Sequence, residues 1–358
     1  MLSYEKPLVR LVQQHKICDQ LTYVFNMTLQ GLDCILGKEQ LVALEMTNLY
    51  SFSAICNLIL SLEEGPMMDK ILEEFHTWAR GLQCWPINLP GFTYYKALKA
   101  RGLIGELFDG LMEQRRQEIA EGRVPEALQT DILNSLLTVP DEEGNLRQDS
   151  FIKDNLLFLL EAGSDSSSST LALVIFYIAK NPHVYKQILQ EQKSILDEKR
   201  SSGKKENELT MEDISAMTYT WRVIQETLRL HPVQIVGYKK TVTNFEYKGY
   251  HIPKGWLLNW TTQTHYSPKY FKDPLKFDPS RWETRPPPFT YLPFGGGPHT
   301  CLGNEFARMS MLVFIHHLVR NYTWSLVDPS YDGPFIRDPV FARTQDKVLI
   351  NVKQIITS

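Results

Sequence analysis

Apolar residues recur every three or four positions over most of the first 230 residues, which is the spacing of helices with one buried face. The pattern predicts helices over residues 7–36, 41–62, 67–82, 94–120, 151–180, 182–200 and 221–230. Another helix is expected to open at residues 210–213. The helix over 151–180, with Asp149 or Ser150 as its cap, would be roughly 45 Å long, enough to cross a whole domain.

The pattern changes after residue 232, where apolar and polar residues alternate and glycine, proline and aromatic residues become frequent. Short strands and turns are predicted over 236–258, strand-like runs over 335–350, and one more helix over 302–321. We therefore expect a mainly α-helical chain with a small β region, forming a single domain over residues 1–358.

The composition argues against several classes of protein. A formal net charge of -3 gives no basic surplus for binding nucleic acid. The five cysteines are odd in number and include no Cys-x-x-Cys pair, so a disulfide framework or structural zinc site is not expected. The first residues predict neither a signal peptide nor a membrane span, and no stretch approaches the ~18 uninterrupted apolar residues that a spanning helix needs.

Cys301 lies in a glycine-rich loop, Phe-Gly-Gly-Gly-Pro-His-Thr-Cys-Leu-Gly over 294–303, directly before a predicted helix. Consecutive glycines let backbone lie against a flat ligand, and free N–H groups at a helix start stabilise a thiolate that can bind a metal. One alternative is an incidental cysteine in a glycine loop. A zinc site with His316 and His317 is another, but those residues lie about four turns, roughly 22 Å, along the helix and cannot converge on Cys301.

The loop resembles the haem-binding loop of the cytochrome P-450 family, which begins with Phe and Gly and ends with a basic residue, one position, Cys, one position and Gly. The resemblance implies that Cys301 is the proximal ligand of the iron of haem b and that His299 contacts a haem propionate. It also implies cofactor-binding positions at Phe294, Gly295 and Gly303. The family often has arginine where this chain has His299, and the charge of a histidine depends on pH.

Glu226 and Arg229 lie three residues apart on one predicted helix face, an arrangement that is common on solvated helices. They resemble the family's Glu-x-x-Arg pair, and Arg281, within Phe-Asp-Pro-Ser-Arg-Trp, matches the third, basic member. The resemblance implies a buried structural network that fixes the loop under the haem. Removing one partner of such a network would leave an unpaired buried charge.

The middle of the long helix, Ala-Gly-Ser-Asp-Ser-Ser over 162–167, resembles the family's distal-helix motif. By this resemblance Gly163 lets the helix open to leave room for oxygen, while Asp165 and Ser166 relay protons to the site of oxygen activation. Ser166 stands where threonine is usual, and it lacks the methyl group that restricts the threonine rotamer. The alternative is a serine-rich linker, although apolar helix flanks the segment on both sides.

The stretch after the Glu-x-x-Arg pair resembles the family segment that lines the substrate pocket and then offers a basic residue to a propionate. Lys239 occupies that basic position, and a lysine supplies the charge without the bidentate fork of arginine. The resemblance gives pocket positions at Val233, Ile235, Val236 and, from the long helix, Ala162. Taken singly, Val233, Ile235 and Val236 could each equally be an ordinary strand residue.

A plant branch of the family, which oxidises triterpenoids, taxane-type diterpenoids and steroids, has segments that resemble residues 252–256, 289–298 and 306–317. This implies a haem monooxygenase that inserts one atom of O2 into a C–H bond of an apolar substrate. Electrons would come from NADPH through NADPH-cytochrome P-450 reductase, at the cytosolic face of the endoplasmic reticulum membrane. The apolar loop over 85–95 matches a loop near the substrate entrance, where it would either touch the membrane surface or simply pack.

Nothing in the sequence resembles the N-terminal portion of the family, so we expect a truncated cytochrome P-450 fold that binds haem weakly or not at all. Within it we assign distal helices to 1–145, the oxygen-activating helix to 146–182, helices and a small β region to 183–293, the haem-thiolate loop and its helix to 294–321, and C-terminal strands to 322–358. A catalytically impaired fragment, or an oxygen-independent haem-thiolate isomerase or dehydratase, remains an alternative. The Asp165–Ser166 pair argues against the isomerase and the dehydratase.

Overall fold

A computed structural model gives the fold of the chain. It describes residues 21–22, 26, 40–63, 65–125, 128, 131–141, 143–205, 209–333 and 348–355. Most of the helix predicted over 7–36 and most of the strand-like tail predicted over 335–350 lie outside these residues.

Helices make up most of the described chain, as the apolar spacing predicts. They are α1 (Ala43–Leu60), α2 (Pro66–Ala79), α3 (Thr93–Ala120), α4 (Ile132–Thr138), α5 (Asp149–Lys180), α6 (Pro182–Ser201), α7 (Met211–Ala216), α8 (Thr218–Leu230) and α9 (Asn304–Asn321). Short 3-10 turns occur at Arg80–Gln83, Gln263–Tyr266, Pro279–Glu283 and Gly297–His299. The predicted ranges agree to within a few residues, except that the short helix α4 was not predicted.

The β region consists of short antiparallel strands. Strands β1 (Gln40–Val42), β6 (Tyr322–Leu326) and β7 (Leu349–Gln354) form one sheet in the order β1-β7-β6. Strand β2 (Val236–Lys240) pairs with β5 (Leu257–Thr261), and β3 (Phe245–Tyr247) pairs with β4 (Tyr250–Ile252). The pairing of β1 with β7 joins the two ends of the described chain.

Helix α5 is the longest element and lies at the centre of the core. All residues from 167 to 176 are buried, so this part of the helix is enclosed on every side. Helix α1 packs along α5, and residues 309–316 of α9 are buried as well. The N-cap of α5 is Gln148, which makes no side-chain cap hydrogen bond, so the predicted cap at Asp149 or Ser150 is wrong by one or two residues.

Candidate active site

The Cys301 loop folds back on itself through its own backbone. The N–H of Cys301 donates to the carbonyl of Phe294 over 2.8 Å, which ties the two ends of the loop together. The Thr300 N–H donates to the carbonyl of Gly297 over 3.1 Å. Gly295 and Gly297 have φ values of +74° and +75°, so both turns require the conformational freedom of glycine.

The sulfur of Cys301 is the reactive atom that this loop presents. Cys301 is exposed, and it lies just before Gly303, the N-cap of α9. Protein atoms that displace water around the sulfur raise the pKa of the thiol, and the N–H of Gly303, which donates to it, opposes that effect. The N–H at the helix start therefore acts on the pKa in the predicted direction, but its effect is smaller than that of burial. A bound cation would be needed to favour the deprotonated form.

The surroundings of the loop fit a flat ligand. A β-carbon on Gly297 would meet no described atom within 4 Å, and one on Gly295 would meet only the carbonyl oxygen of His299, at 3.9 Å. The loop therefore has bare backbone facing open space at these two glycines, in the same loop as the exposed residue Cys301. A single cysteine ligand suits an iron that is otherwise held by a porphyrin, so the residues present fit haem.

The zinc alternative does not agree with the contacts of the two histidines on α9. The guanidinium of Arg320 donates to Nε2 of His316 over 2.9 Å, so Nδ1 of the same ring donates to the Gln192 side chain over 2.6 Å. His317 lies 3.1 Å from the hydroxyl of Thr22. Both nitrogens of His316 are thus used in hydrogen bonds far along the helix from the Cys301 loop.

The Glu226 carboxylate is the centre of a buried network. Arg229 donates to it from Nε and Nη2 over 2.9 and 2.8 Å, and Arg281 donates from Nε over 3.0 Å. The structure therefore brings together the three residues named from the sequence. Glu226 and Arg229 have fully buried side chains, and Arg281 is nearly buried.

Two further donors to Glu226 were missed in the sequence. The indole N–H of Trp282 donates to Oε2 over 3.1 Å, and the backbone N–H of Asp278 donates to Oε1 over 3.0 Å. The carboxylate thus accepts five hydrogen bonds from the described part of the chain. Trp282 directly follows Arg281, and its indole N–H was the only signal that could have identified it.

The two arginines also hold the proline-rich segment that precedes the cysteine loop. Arg229 Nη1 donates to the carbonyls of His265 and Pro274 over 2.8 and 2.7 Å. Arg281 Nη1 donates to the carbonyl of Lys272 over 2.8 Å. Guanidinium groups with all their donors directed at fixed acceptors hold such irregular backbone in one conformation. His265, whose ring contacts the cysteine loop, was not singled out from the sequence.

The serine-rich part of α5 does not open at Gly163. The helix is continuous over Asp149–Lys180, and a β-carbon on Gly163 would lie 2.6 Å from Cδ1 of Ile55 on α1. The prediction that Gly163 lets the helix open is therefore wrong. This glycine instead allows two helices to approach closely. The hydroxyl of Ser166 donates to the carbonyl of Ala162 over 2.7 Å, and Ala162 is exposed.

Asp165 is half-buried and interacts electrostatically with His76 on α2. Burial lowers the pKa of His76, and the negative charge of Asp165 acts in the opposite direction. His76 was not identified from the sequence, because the approach of α2 to the middle of α5 is a long-range contact.

The remaining site positions lie on or before strand β2. Val233, Ile235 and Val236 are half-buried, and the exposed Lys239 pairs with Leu258 in the β2–β5 ladder.

The structure also exposes apolar side chains in the loop between α2 and α3. Trp85 is 84% exposed there, and Leu89 and Phe92 are exposed as well.

Comparisons with known proteins agree with this geometry. The cytochrome P-450 family model matches residues 20–352. Cytochrome P-450 716A2 of Arabidopsis thaliana is 37% identical over 305 residues, covering 85% of this chain and 62% of that protein. A beta-amyrin 28-monooxygenase of Kalopanax septemlobus is 37% identical over 295 residues, covering 82% of this chain and 60% of that protein.

Among solved structures, retinoic acid-bound cyanobacterial CYP120A1 superposes with a TM-score of 0.82 at 27% identity, covering 99% of this chain and 78% of that one. The chain spans about three fifths of the length of the curated relatives it matches. Among the residues that the structure describes, no helix has the length and apolar character needed to cross a membrane.

Proposed function

Because the chain belongs to the cytochrome P-450 family, we propose that it acts as a haem-dependent monooxygenase on an apolar triterpenoid, in which Cys301 would hold the iron. The observation that carries the proposal is the position of Cys301, an exposed residue on a glycine loop that is closed by the bond from the Cys301 N–H to the Phe294 carbonyl. Thiolate-ligated haem supplies the chemistry that splits dioxygen and inserts one oxygen atom into an unactivated C–H bond.

The loop residues would hold the cofactor and adjust the ligand. The N–H of Gly303 donates to the Cys301 sulfur, and a hydrogen bond of this kind tunes how strongly a thiolate donates electrons. His299 and Lys239 are exposed and would pair with the haem propionates, while Phe294, Gly295 and Gly303 would shape the surface under the ring. Glu226, Arg229 and Arg281 would act structurally by fixing the backbone that leads into the loop.

Asp165 and Ser166 would supply protons on the other side of the cofactor. The Ser166 hydroxyl donates its proton to the Ala162 carbonyl, so its oxygen can still accept a hydrogen bond from water. Asp165 is half-buried and interacts electrostatically with His76. Together they offer a carboxylate and a hydroxyl one residue apart, which is the chemistry a proton relay needs.

The substrate class follows from the relatives and from the apolar positions before β2. Relatives named as beta-amyrin 28-monooxygenases suggest a triterpenoid, oxidised at one carbon. Val233, Ile235 and Val236, with Ala162, would form apolar walls suited to such a substrate. NADPH-cytochrome P-450 reductase would deliver electrons. The exposed apolar loop with Trp85 and Leu89 would contact the endoplasmic reticulum membrane from its cytosolic side.

The function can be tested in yeast that produces beta-amyrin and a plant NADPH-cytochrome P-450 reductase. The chain is expressed as it stands and, in parallel, with the N-terminal segment of a beta-amyrin 28-monooxygenase placed before Met1. We expect an NADPH-dependent oxidised triterpenoid that carries label from isotopically labelled dioxygen and is lost in Cys301→Ser. Product formation without NADPH, or a product without labelled oxygen, would instead support an isomerase or dehydratase.

A further inference from the structure

The imidazole of His265 connects the Glu226 network to the cysteine loop. His265 lies in the 3-10 turn Gln263–Tyr266, and its side chain is completely buried. Its backbone carbonyl accepts a hydrogen bond from Arg229 Nη1 over 2.8 Å. Its ring atom Nε2 accepts a hydrogen bond from the backbone N–H of Leu292 over 2.9 Å. His265 thus contacts the buried Arg229 through its backbone and, through its side chain, Leu292, which lies two residues before the cysteine loop.

The hydrogen bond from Leu292 identifies which nitrogen of the His265 ring carries the hydrogen. A backbone N–H can only donate, so Nε2 carries no hydrogen and the hydrogen of the neutral ring lies on Nδ1. Within the described residues Nδ1 has no hydrogen-bond partner. Burial lowers the pKa of His265 to about 4, so the ring is neutral and able to accept at neutral pH.

Leu292 is the point where the loop backbone starts its turn. The carbonyl of Leu292 accepts from the N–H of Gly295 over 3.1 Å, and the carbonyl of Phe294 accepts from the N–H of Cys301 over 2.8 Å. A chain of hydrogen bonds therefore runs from the His265 ring through the start of the loop to the backbone of Cys301. Without an acceptor at Nε2, the Leu292 N–H would be left unpaired in a half-buried position.

We propose that His265 is a positioning residue for Cys301, because its ring fixes the loop backbone relative to the buried Glu226–Arg229 pair. The inference rests on the proposed function in one respect, namely that the Cys301 sulfur is the iron ligand. A thiolate bond to iron depends on where the backbone places the sulfur, so an error in the position of the loop weakens that bond.

Two polar substitutions of His265 separate the hydrogen bond from simple packing. In His265→Gln, the side-chain amide oxygen can reach the place of Nε2 and accept from Leu292. In His265→Asn, a side chain one carbon shorter reaches only the place of Nδ1, so the acceptor is lost while polarity is kept. His316→Asn serves as the control, because His316 is equally buried but bonds to Gln192 and Arg320, away from the loop.

Hydrogen exchange of the amides in residues 289–301 is measured first, on the 358-residue chain without cofactor. We expect His265→Asn to speed exchange at Leu292 and Cys301 by about tenfold or more, relative to amides of α9, and His265→Gln to stay within about threefold of wild type. His316→Asn should leave the loop rates unchanged relative to α9. Equal loop rates in His265→Asn and wild type, or equal acceleration in His316→Asn, would overturn the proposal.

The second measurement uses the chain that carries the N-terminal segment of a beta-amyrin 28-monooxygenase before Met1, adds haem in excess and records the carbon monoxide spectrum of the reduced protein. We expect His265→Asn to shift the Soret band from the thiolate type toward the thiol type, and His265→Gln to restore the thiolate type. A thiolate band of wild-type intensity in His265→Asn would refute the positioning role. Absence of the band from wild type would instead refute the proposed function, and the exchange rates would still decide whether His265 holds the loop.

Discussion

Gly163 lies so close to Ile55 that a β-carbon on the glycine would be 2.6 Å from the Cδ1 atom of the isoleucine. The contact lies where α1 packs along the serine-rich part of α5. Real side chains do not approach at this distance, so a side chain at position 163 would force the Ile55 side chain or the two helices to shift. The glycine thus has a packing role in the helix turn that precedes Asp165 and Ser166, the proposed proton-relay residues.

Replacing Gly163 with alanine is therefore expected to destabilise the fold. The added methyl group has to displace Ile55 or separate the helices, which costs about 1–3 kcal/mol in a packed core and outweighs the gain of about 0.5–1 kcal/mol from helix propensity. The free energy of unfolding from denaturant titrations measures this loss. Combining Gly163→Ala with Ile55→Ala should cost less than the sum of the two single changes, because the truncated side chain leaves room for the methyl group.

Gly105→Ala is the matched control, since Gly105 also lies within a helix but a β-carbon there would meet no described atom within 4 Å. This change should stabilise the protein by about 0.5–1 kcal/mol through helix propensity. If Gly163→Ala proved as stabilising as Gly105→Ala, the close contact with Ile55 would be wrong.

Neutralising Glu226 should be among the most damaging single changes. Glu226→Gln keeps the size of the side chain but leaves the buried Arg229 charge without its carboxylate, which costs about 3–5 kcal/mol. Thermal and denaturant unfolding measure the loss. Glu246→Gln on the exposed strand β3 is the control, with an expected change within about 0.5 kcal/mol. A loss below about 1 kcal/mol at Glu226 would contradict the buried network.

Trp282→Phe tests the donor that the sequence did not reveal. Phenylalanine keeps most of the apolar volume but cannot donate to Glu226, and a hydrogen bond to a charged group contributes about 1.5–3 kcal/mol. We expect a loss of this size in the free energy of unfolding. Trp256→Phe, at an exposed position, should have little effect. Equal effects at the two tryptophans would argue against the Trp282–Glu226 bond.

Three histidines should make the fold sensitive to mild acid. Burial lowers the pKa values of His231, His265 and His317 to about 4, below the value of about 6.5 expected in the unfolded chain. Between these two values the unfolded state binds more protons, so stability falls as the pH decreases from about 6.5 to about 4. Each histidine contributes up to about 1.4 kcal/mol per pH unit to this slope.

Denaturant unfolding at a series of pH values measures the slope directly. His231→Gln keeps a polar group near the Tyr177 hydroxyl, which lies 2.7 Å from Nε2 of His231, but it does not titrate. In this variant the free energy of unfolding should fall less steeply between about pH 6.5 and pH 4 than it does in wild type. A stability that does not change between neutral pH and pH 5 would contradict the buried, neutral histidines.

Much of the fold could be predicted from the sequence because the apolar spacing of long helices is a local signal. The short helix α4 was missed because seven residues give little periodicity, although Asp131 accepts the N-cap hydrogen bond from Asn134. The pairing of Glu226 with Arg281 followed from the family resemblance. The bond from His265 to Leu292 and the approach of Ile55 to Gly163 depend on tertiary packing, which local sequence does not encode.

The other assignments depend on the proposal that the Cys301 sulfur binds the haem iron. Haem is titrated into the chain that carries the N-terminal segment of a beta-amyrin 28-monooxygenase before Met1, and into the Cys301→Ser variant of the same protein, and the carbon monoxide difference spectrum of each reduced sample is recorded. We predict a thiolate-type Soret band that grows with haem concentration in the wild-type chain and is missing from Cys301→Ser. Identical spectra for the two proteins would contradict the account, because the Cys301 sulfur would then not be bound to the iron.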